Sequence, residues 1–219
     1  MKLAQMLGVC AASLLPLAVM PTAMAQKWEF GGAAGGGFYT SQDVTNSGGS
    51  ASAKFQTNVI GSVWLEDNIT ERWGGELRYD YQRGAAQLNS GGTQTSFDAD
   101  SHNMHYDFQW HAAPSEAKVR PFVAFGAGVK VFHGTGAEAA YQPLEQYAVL
   151  SRVKDIQPVI SVGAGVKWHI SPHLLFRLEL HDYMTPFPTK VIAPNTGTGS
   201  KVSGWLFDFV PEAGLSYLF

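Results

Sequence analysis

Charge is scarce in this chain. Asp, Glu, Lys and Arg make up 15% of its 219 residues, against about a quarter in an ordinary soluble domain, so a water-facing surface on every side is not what the composition supports. The formal net charge of −3 has no strong field of one sign, which excludes a nucleic-acid partner on electrostatic grounds. Cysteine is scarcer still: Cys10 stands alone, inside a segment with the marks of export. Lys2 gives that segment a positive start, an apolar stretch runs from about Val9 to Met20, and Ala23-Met24-Ala25 fits the small-x-small cleavage rule. Residues 1–25 are therefore expected to be a removed signal peptide, leaving a single domain over 26–219. Cys10 precedes most of the apolar stretch, which argues against a lipoprotein, and its removal leaves no disulfide or thiol chemistry. Long hydrophobic runs are missing too. After Gln26 nothing approaches the roughly 18–20 apolar residues of a spanning helix, so helical membrane passage is excluded.

What is present is glycine (24 residues), aromatics (12%) and period two. From Arg72 to Gln82, Trp73, Gly75, Leu77, Tyr79 and Tyr81 share one face, while Arg72, Glu76, Arg78 and Asp80 lie on the other. The same alternation recurs. Trp28, Phe30, Gly32, Ala34, Gly36 and Phe38 form one face of a first strand; Phe55, Thr57, Val59, Gly61, Val63 and Leu65 one face of a second. Met104, Tyr106, Phe108 and Trp110 belong to a fourth, odd positions of 119–131 to a fifth, and even positions of 156–170 to a sixth. Leu174, Phe176, Leu178 and Leu180 line a seventh; Trp205, Phe207, Phe209, Pro211, Ala213, Leu215, Tyr217 and Phe219 line the last.

No apolar face among the eight carries an ionised side chain. A soluble sandwich has no reason for that asymmetry, whereas a transmembrane strand of about 9–11 residues turns apolar side chains to lipid and polar ones to a lumen. An open sheet edge in hydrocarbon leaves N–H and C=O groups unpaired at several kcal/mol each, so the sheet must close. Short links fall near Asp67-Asn68, Ala112 to Ala117 and Ser171-Pro172; long ones run over about 40–53, 84–97, 134–152 and 185–201. Three turns and four loops predict an all-β fold: a membrane-spanning, antiparallel, up-and-down barrel of eight strands, its turns periplasmic and its loops extracellular. The loop over 134–152 allows a short helix broken at Pro143.

Glu212-x-Gly214-x-x-Tyr217-x-Phe219 matches the polar-x-Gly-x-x-aromatic-x-aromatic pattern that outer-membrane barrels carry on their last strand. With the export segment and the alternating strands, the chain resembles the small eight-stranded barrels of the OmpA/OmpX type. That resemblance implies a bacterial outer-membrane location, outer-membrane lipid as a partner, and recognition of Glu212, Gly214, Tyr217 and Phe219 by the barrel-assembly machinery.

The inward faces carry Arg72, Glu76, Arg78, Asp80, Asp107, Arg120, Lys130, Asp155, Lys167, Arg177, Glu179, Asp208 and Glu212. An eight-stranded barrel has an interior just wide enough to be filled by side chains, so these groups are expected to pair rather than to line an open pore. Lys130 and Lys167, in the echoed runs 121–130 and 158–167, are expected at similar depth on adjacent strands, facing Glu76, Asp107, Glu179 or Glu212. His105, His169 and His181 read as hydrogen-bonding lumen residues, His111 and His173 as neighbours of periplasmic turns. Without a His-x-x-x-His pair or mature cysteine, neither a metal site nor a cofactor is predicted. Trp28, Trp73, Trp110, Trp168, Phe176, Tyr217 and Phe219 should form one interfacial girdle, and Phe38, Tyr81, Phe97 and Trp205 the other. Trp64 faces inward in this register, either filling the lumen or marking a bulge.

Three function classes remain, because a barrel fold serves all of them. The favoured one is a non-enzymatic envelope protein with a charge-paired, filled lumen, acting through its body or through loops whose extracellular ligand the residues do not name. The second is a narrow channel for small solutes or ions. The third is a barrel enzyme acting on lipid; the His-x-Ser-Asn run of barrel deacylases is missing, which leaves Ser101-His102 and His181-Asp182 as candidates.

Overall fold

The computed structural model describes residues 27–56 and 58–219. The export segment 1–25, the expected new terminus Gln26, and Thr57 lie outside them. Among the described residues the strands are β1 (Trp28–Tyr39), β2 (Gln42–Asn46), β3 (Gly49–Phe55), β4 (Asn58–Asp67), β5 (Trp73–Ser90), β6 (Thr93–His111), β7 (Val119–Gly134), β8 (Ala148–Leu150), β9 (Lys154–His169), β10 (Leu174–Pro186), β11 (Ile192–Pro194) and β12 (Trp205–Leu218). No helix among them is long and apolar enough to cross a membrane.

Eight strands close on themselves in the order β1-β4-β5-β6-β7-β9-β10-β12. Closure is the pairing of the first strand with the last: Phe30 lies opposite Tyr217, Ala34 opposite Ala213, and Phe38 opposite Phe209. Every pair in the ring is antiparallel, so the ladder leaves no edge for lipid to meet. Side chains follow the pleat. Along β12 exposure alternates residue by residue, with Trp205, Phe207, Phe209, Leu215 and Tyr217 outward and Leu206, Asp208, Val210, Glu212 and Ser216 inward. Trp73, Trp110, Trp168, Tyr217 and Phe219 are exposed near the turn end, with Trp28 and Phe176 half-buried beside them.

At the loop end the chain departs from the sequence expectation in four places. The segment 84–97 is no loop: β5 and β6 run on to a two-residue turn at Gly91 and Gly92. Their φ values of 57° and 82° are the positive angles that a tight hairpin turn of the I′ class demands. The segment 40–53 becomes the β2–β3 hairpin, and β3 pairs with the upper part of β5 where β4 has ended. Residue 55 opposes 86 while 60 opposes 82, so five steps on one side meet four on the other. That one-residue bulge flips the pleat. Phe55, expected on the lipid face, is buried, whereas Val59 is 74% exposed. Finally, 134–152 forms no α-helix; its only regular element is β8, paired with β11.

These loop segments enclose a second core. Val44, Phe55, Leu88, Phe97, Phe132, Leu150, Ile192 and Leu206 pack together above the barrel. Phe97, expected in the outer aromatic girdle, belongs to this cluster and is 7% exposed; Phe38, Tyr81 and Trp205 remain outward.

Candidate functional site in the barrel lumen

Eight strands leave a lumen that side chains must fill, and here they fill it with ions. Two guanidinium groups organise the middle. Arg78 on β5 donates from Nε to Asp80 at 2.9 Å, from Nη1 to Glu76 at 3.3 Å and from Nη2 to Glu179 at 2.7 Å, and also pairs with Glu212. Ser62 donates to the remaining Glu212 oxygen at 2.5 Å. Arg177 on β10 reaches Glu76 at 2.8 Å, Glu29 at 3.3 Å and Glu66 at 3.4 Å with Nη1, and Glu179 at 2.8 Å with Nη2. Glu76 and Glu179 thus bridge the two cations. Trp64 lies against both, 5.1 Å from the Arg78 Cζ and 4.3 Å from that of Arg177. The ring fills the lumen, and Gly31 opposite leaves it room: a Cβ there would collide with the indole.

Toward the turn end Lys167 holds Glu29 at 2.9 Å and also pairs with Glu66. Toward the loop end Lys130 donates to Asp208 at 2.6 Å, with the rings of Tyr39, Phe132 and Tyr183 at 4.8 to 5.5 Å. The two lysines are therefore not neighbours in depth. Lys130 opposes Gln157 and Lys167 opposes Arg120, because adjacent antiparallel strands read the same motif in opposite directions, sending its final lysine to opposite ends of the barrel. Their partners, Asp208, Glu29 and Glu66, differ from the four carboxylates expected.

Other expected lumen groups sit nearer the rims. Arg120 donates to Asn68 at 2.7 Å and to the Glu71 carbonyl at 2.8 Å, tying β7 to the first turn. Asp155 accepts from the Lys190 backbone at 2.9 Å and from Gln157 at 2.9 Å. Arg72 is outside the lumen altogether. It is exposed on the turn and donates to the Ala112 carbonyl at 2.6 Å, since the strand starts one residue later. Glu29 and Glu66, both fully buried, were missed by the sequence reading although the alternation of Trp28 and Phe30, and of Leu65, already turns them inward. His111, the last residue of β6 and so beside a turn as expected, is also buried, 3.6 Å from Glu66; His169, expected in the lumen, sits at the turn end against the Ala117 carbonyl at 2.9 Å.

A third group lies between these networks. His105 and Asp107 on β6 and His181 on β10 are all buried, and one ligand atom from each falls within 4.8 Å of the others. His105 Nε2 is 3.3 Å and His181 Nδ1 3.8 Å from Asp107 Oδ2, which Ser161 also reaches at 3.1 Å. Both ring nitrogens of both histidines, and Asp107 Oδ1, lack a hydrogen-bond partner among the described residues. The two dipeptides considered for catalysis do not assemble. Neighbouring strand residues face opposite ways: Ser101 is inside near Tyr39 and Gln82, while His102 is outside, 2.7 Å from the Tyr79 hydroxyl. His181 is buried inside and Asp182, its neighbour, is not.

On the final strand, Glu212 and Gly214 face inward, Gly214 against Ala33 and the Gly32 carbonyl; Tyr217 and Phe219 face outward with stacked rings 6.4 Å apart.

The described barrel is similar to solved structures at low sequence identity. Neisserial surface protein A shares 12% identity, with 89% of this chain and 98% of that one covered at a TM-score of 0.54. The outer membrane protein OprG of Pseudomonas aeruginosa shares 13%, over 89% and 97%, at 0.55. A major outer membrane protein of Thermus thermophilus shares 14%, over 88% and 99%, at 0.51. No curated protein matches in sequence. Residues 10–195 match the model of the outer membrane protein beta-barrel domain, and the chain accordingly belongs to that family of bacterial outer-membrane barrels.

Proposed function

We propose that this chain is a non-enzymatic barrel of the outer membrane whose lumen is a charge-paired structural plug, its interactions with the outside made through the folded loop end. The observation that carries the reading is the Arg78–Arg177 network. Two guanidinium groups share Glu76 and Glu179 across the bore, with Trp64 lying against both. Buried ions in such an arrangement hold each other by short, fully desolvated contacts, and removing one partner leaves the rest uncompensated. A conducting path would have to part that network, and above it pass the apolar cluster around Phe55, Phe132 and Leu206.

Outer-membrane lipid is the partner of the exposed apolar belt, and the barrel-assembly machinery is the reader of Glu212, Gly214, Tyr217 and Phe219. The outward exposure of the Tyr217 and Phe219 rings supports that reading, while Glu212 contacts Arg78 and Ser62 in the closed barrel. The test is planar-bilayer conductance of the refolded barrel together with its unfolding midpoint, for the native chain and Arg177→Met. Negligible current in both, with a lowered midpoint in the variant, is expected. Discrete openings of the native barrel would replace this reading by the narrow channel.

A further inference from the structure

Among the described residues, nine buried carboxylates face the lumen or its rims against five buried lysines and arginines. The interior thus holds four more acidic groups than permanent cations. Part of the shortfall falls on the cluster between the two networks, where Asp107 faces two imidazoles and where Asp80 and Glu179 stand 3.8 Å from His105 and 3.5 Å from His181. Burying such charge without a compensating cation is strongly unfavourable.

We propose that His105, Asp107 and His181 bind a divalent transition-metal ion of the zinc type inside the barrel. Two imidazole nitrogens and a carboxylate oxygen are a donor set for such ions and a poor one for calcium or magnesium, which take oxygen ligands. Ligands around a tetrahedral ion at about 2.0 Å lie roughly 3.3 Å from one another. His105 Nε2 and Asp107 Oδ2 already stand at 3.3 Å; His181 Nδ1, 3.8 Å from the same oxygen, needs a small swing. Asp107 Oδ1 or a water completes the set.

The surrounding strands are cut to fit these three side chains. Gly128 backs His105, Gly126 backs Asp107 and Gly163 backs His181; a Cβ at any of these positions would collide with the residue it backs. The two glycine-rich echoes in β7 and β9 therefore make space for one cluster contributed by β6 and β10, the strands flanking them. Sequence rules built on helical His-x-x-x-His spacing pass over such a site. On a strand the equivalent is His105-x-Asp107, two residues apart on one face.

A site enclosed by a filled lumen should load as the barrel closes and then exchange slowly. The experiment refolds the 26–219 chain from urea into detergent with one equivalent of Zn2+, or of Co2+ as an optical probe. Free metal is removed with EDTA, and retained metal is measured by mass spectrometry. Expected are about one ion per folded barrel, tetrahedral cobalt bands, and retention that EDTA removes only after unfolding. The His105→Gln/His181→Gln double variant should lose at least tenfold of the retained metal, and His111→Gln, a buried histidine outside the cluster, should keep it. Folding of each variant is checked by heat-modifiable electrophoretic mobility. If the double variant does not fold, the native cobalt spectrum decides, because an ion held only by surface groups is stripped by EDTA and shows octahedral bands. A folded native barrel that retains no metal, or a folded double variant that retains as much as the native one, overturns the proposal and leaves protons on the imidazoles as the compensating charge.

Discussion

The barrel interior is polar in its middle and apolar at its loop end, although the same strand faces line both. On β5 the inward series runs Glu76, Arg78, Asp80 and Gln82, then Ala86 and Leu88. On β6 it passes from Asp107, His105 and Asn103 through Ser101 to Ala99 and Phe97; on β7 Lys130 is followed by Phe132. The change marks where the outside changes. Where lipid surrounds the sheet, apolar side chains are used on the outer face and the interior takes the polar ones. Above the membrane water takes that place, and the ordinary rule returns, with the apolar residues packed inside. The register change between β3 and β4, which both pair with β5, makes the same reversal by flipping the pleat.

The largest way to break this contrast is in the polar half. Arg177→Met leaves Glu29, Glu66, Glu76 and Glu179 short of a shared cation and should lower barrel stability by about 3–5 kcal/mol, read as the urea midpoint of the heat-modifiable band. Adding Glu179→Gln should recover part of the loss. In the apolar half Phe132→Ala opens a cavity beside Phe55 and Tyr39, whose rings lie 5.0 and 6.5 Å away, and should cost about 3 kcal/mol. Its effect should appear as protease sensitivity of the loops while the barrel band persists; a barrel midpoint that falls as far as in Arg177→Met would mean that the two cores are one cooperative unit.

On the lipid face the contrast is sharpened by depth. Leu77→Arg, midway between the exposed Trp73 and Tyr81 on β5 and itself 50% exposed, should cost about 2–4 kcal/mol, and Tyr81→Arg, further along β5 toward the loop end, about 0–1 kcal/mol, both measured by refolding into vesicles. Equal costs would place the membrane boundary elsewhere. The smallest expected effect on the barrel midpoint is that of Gly91→Ala in the β5–β6 turn. Holding alanine at φ 57° should cost about 1 kcal/mol, confined to loop-end protease resistance and absent from the barrel midpoint.

Much of this molecule follows from its order of residues. Alternation of apolar and polar side chains at period two carries its own inside and outside, so the eight ring strands, the lipid belt and the inward course of Glu76, Arg78, Lys130, Arg177 and Glu212 are local consequences of the pleat. Closure follows as well, because a sheet in hydrocarbon has no alternative. What the pleat does not contain is who meets whom across the bore. The pairing of Arg78 with Glu179, of Lys167 with Glu29 and of Lys130 with Asp208 joins residues 101, 138 and 78 positions apart, and depends on the stagger of a closed sheet. The echoed lysines went to opposite ends because their strands are antiparallel neighbours, and His105, Asp107 and His181 came together across the closed sheet unannounced by any helical spacing. The loop end was the least legible part: Gly, Ser and Thr-rich stretches look alike whether they wander or pair. Only the packing of Phe55, Phe97, Phe132 and Ile192 against one another, each far from the others in sequence, decided that these segments form strands and a core of their own.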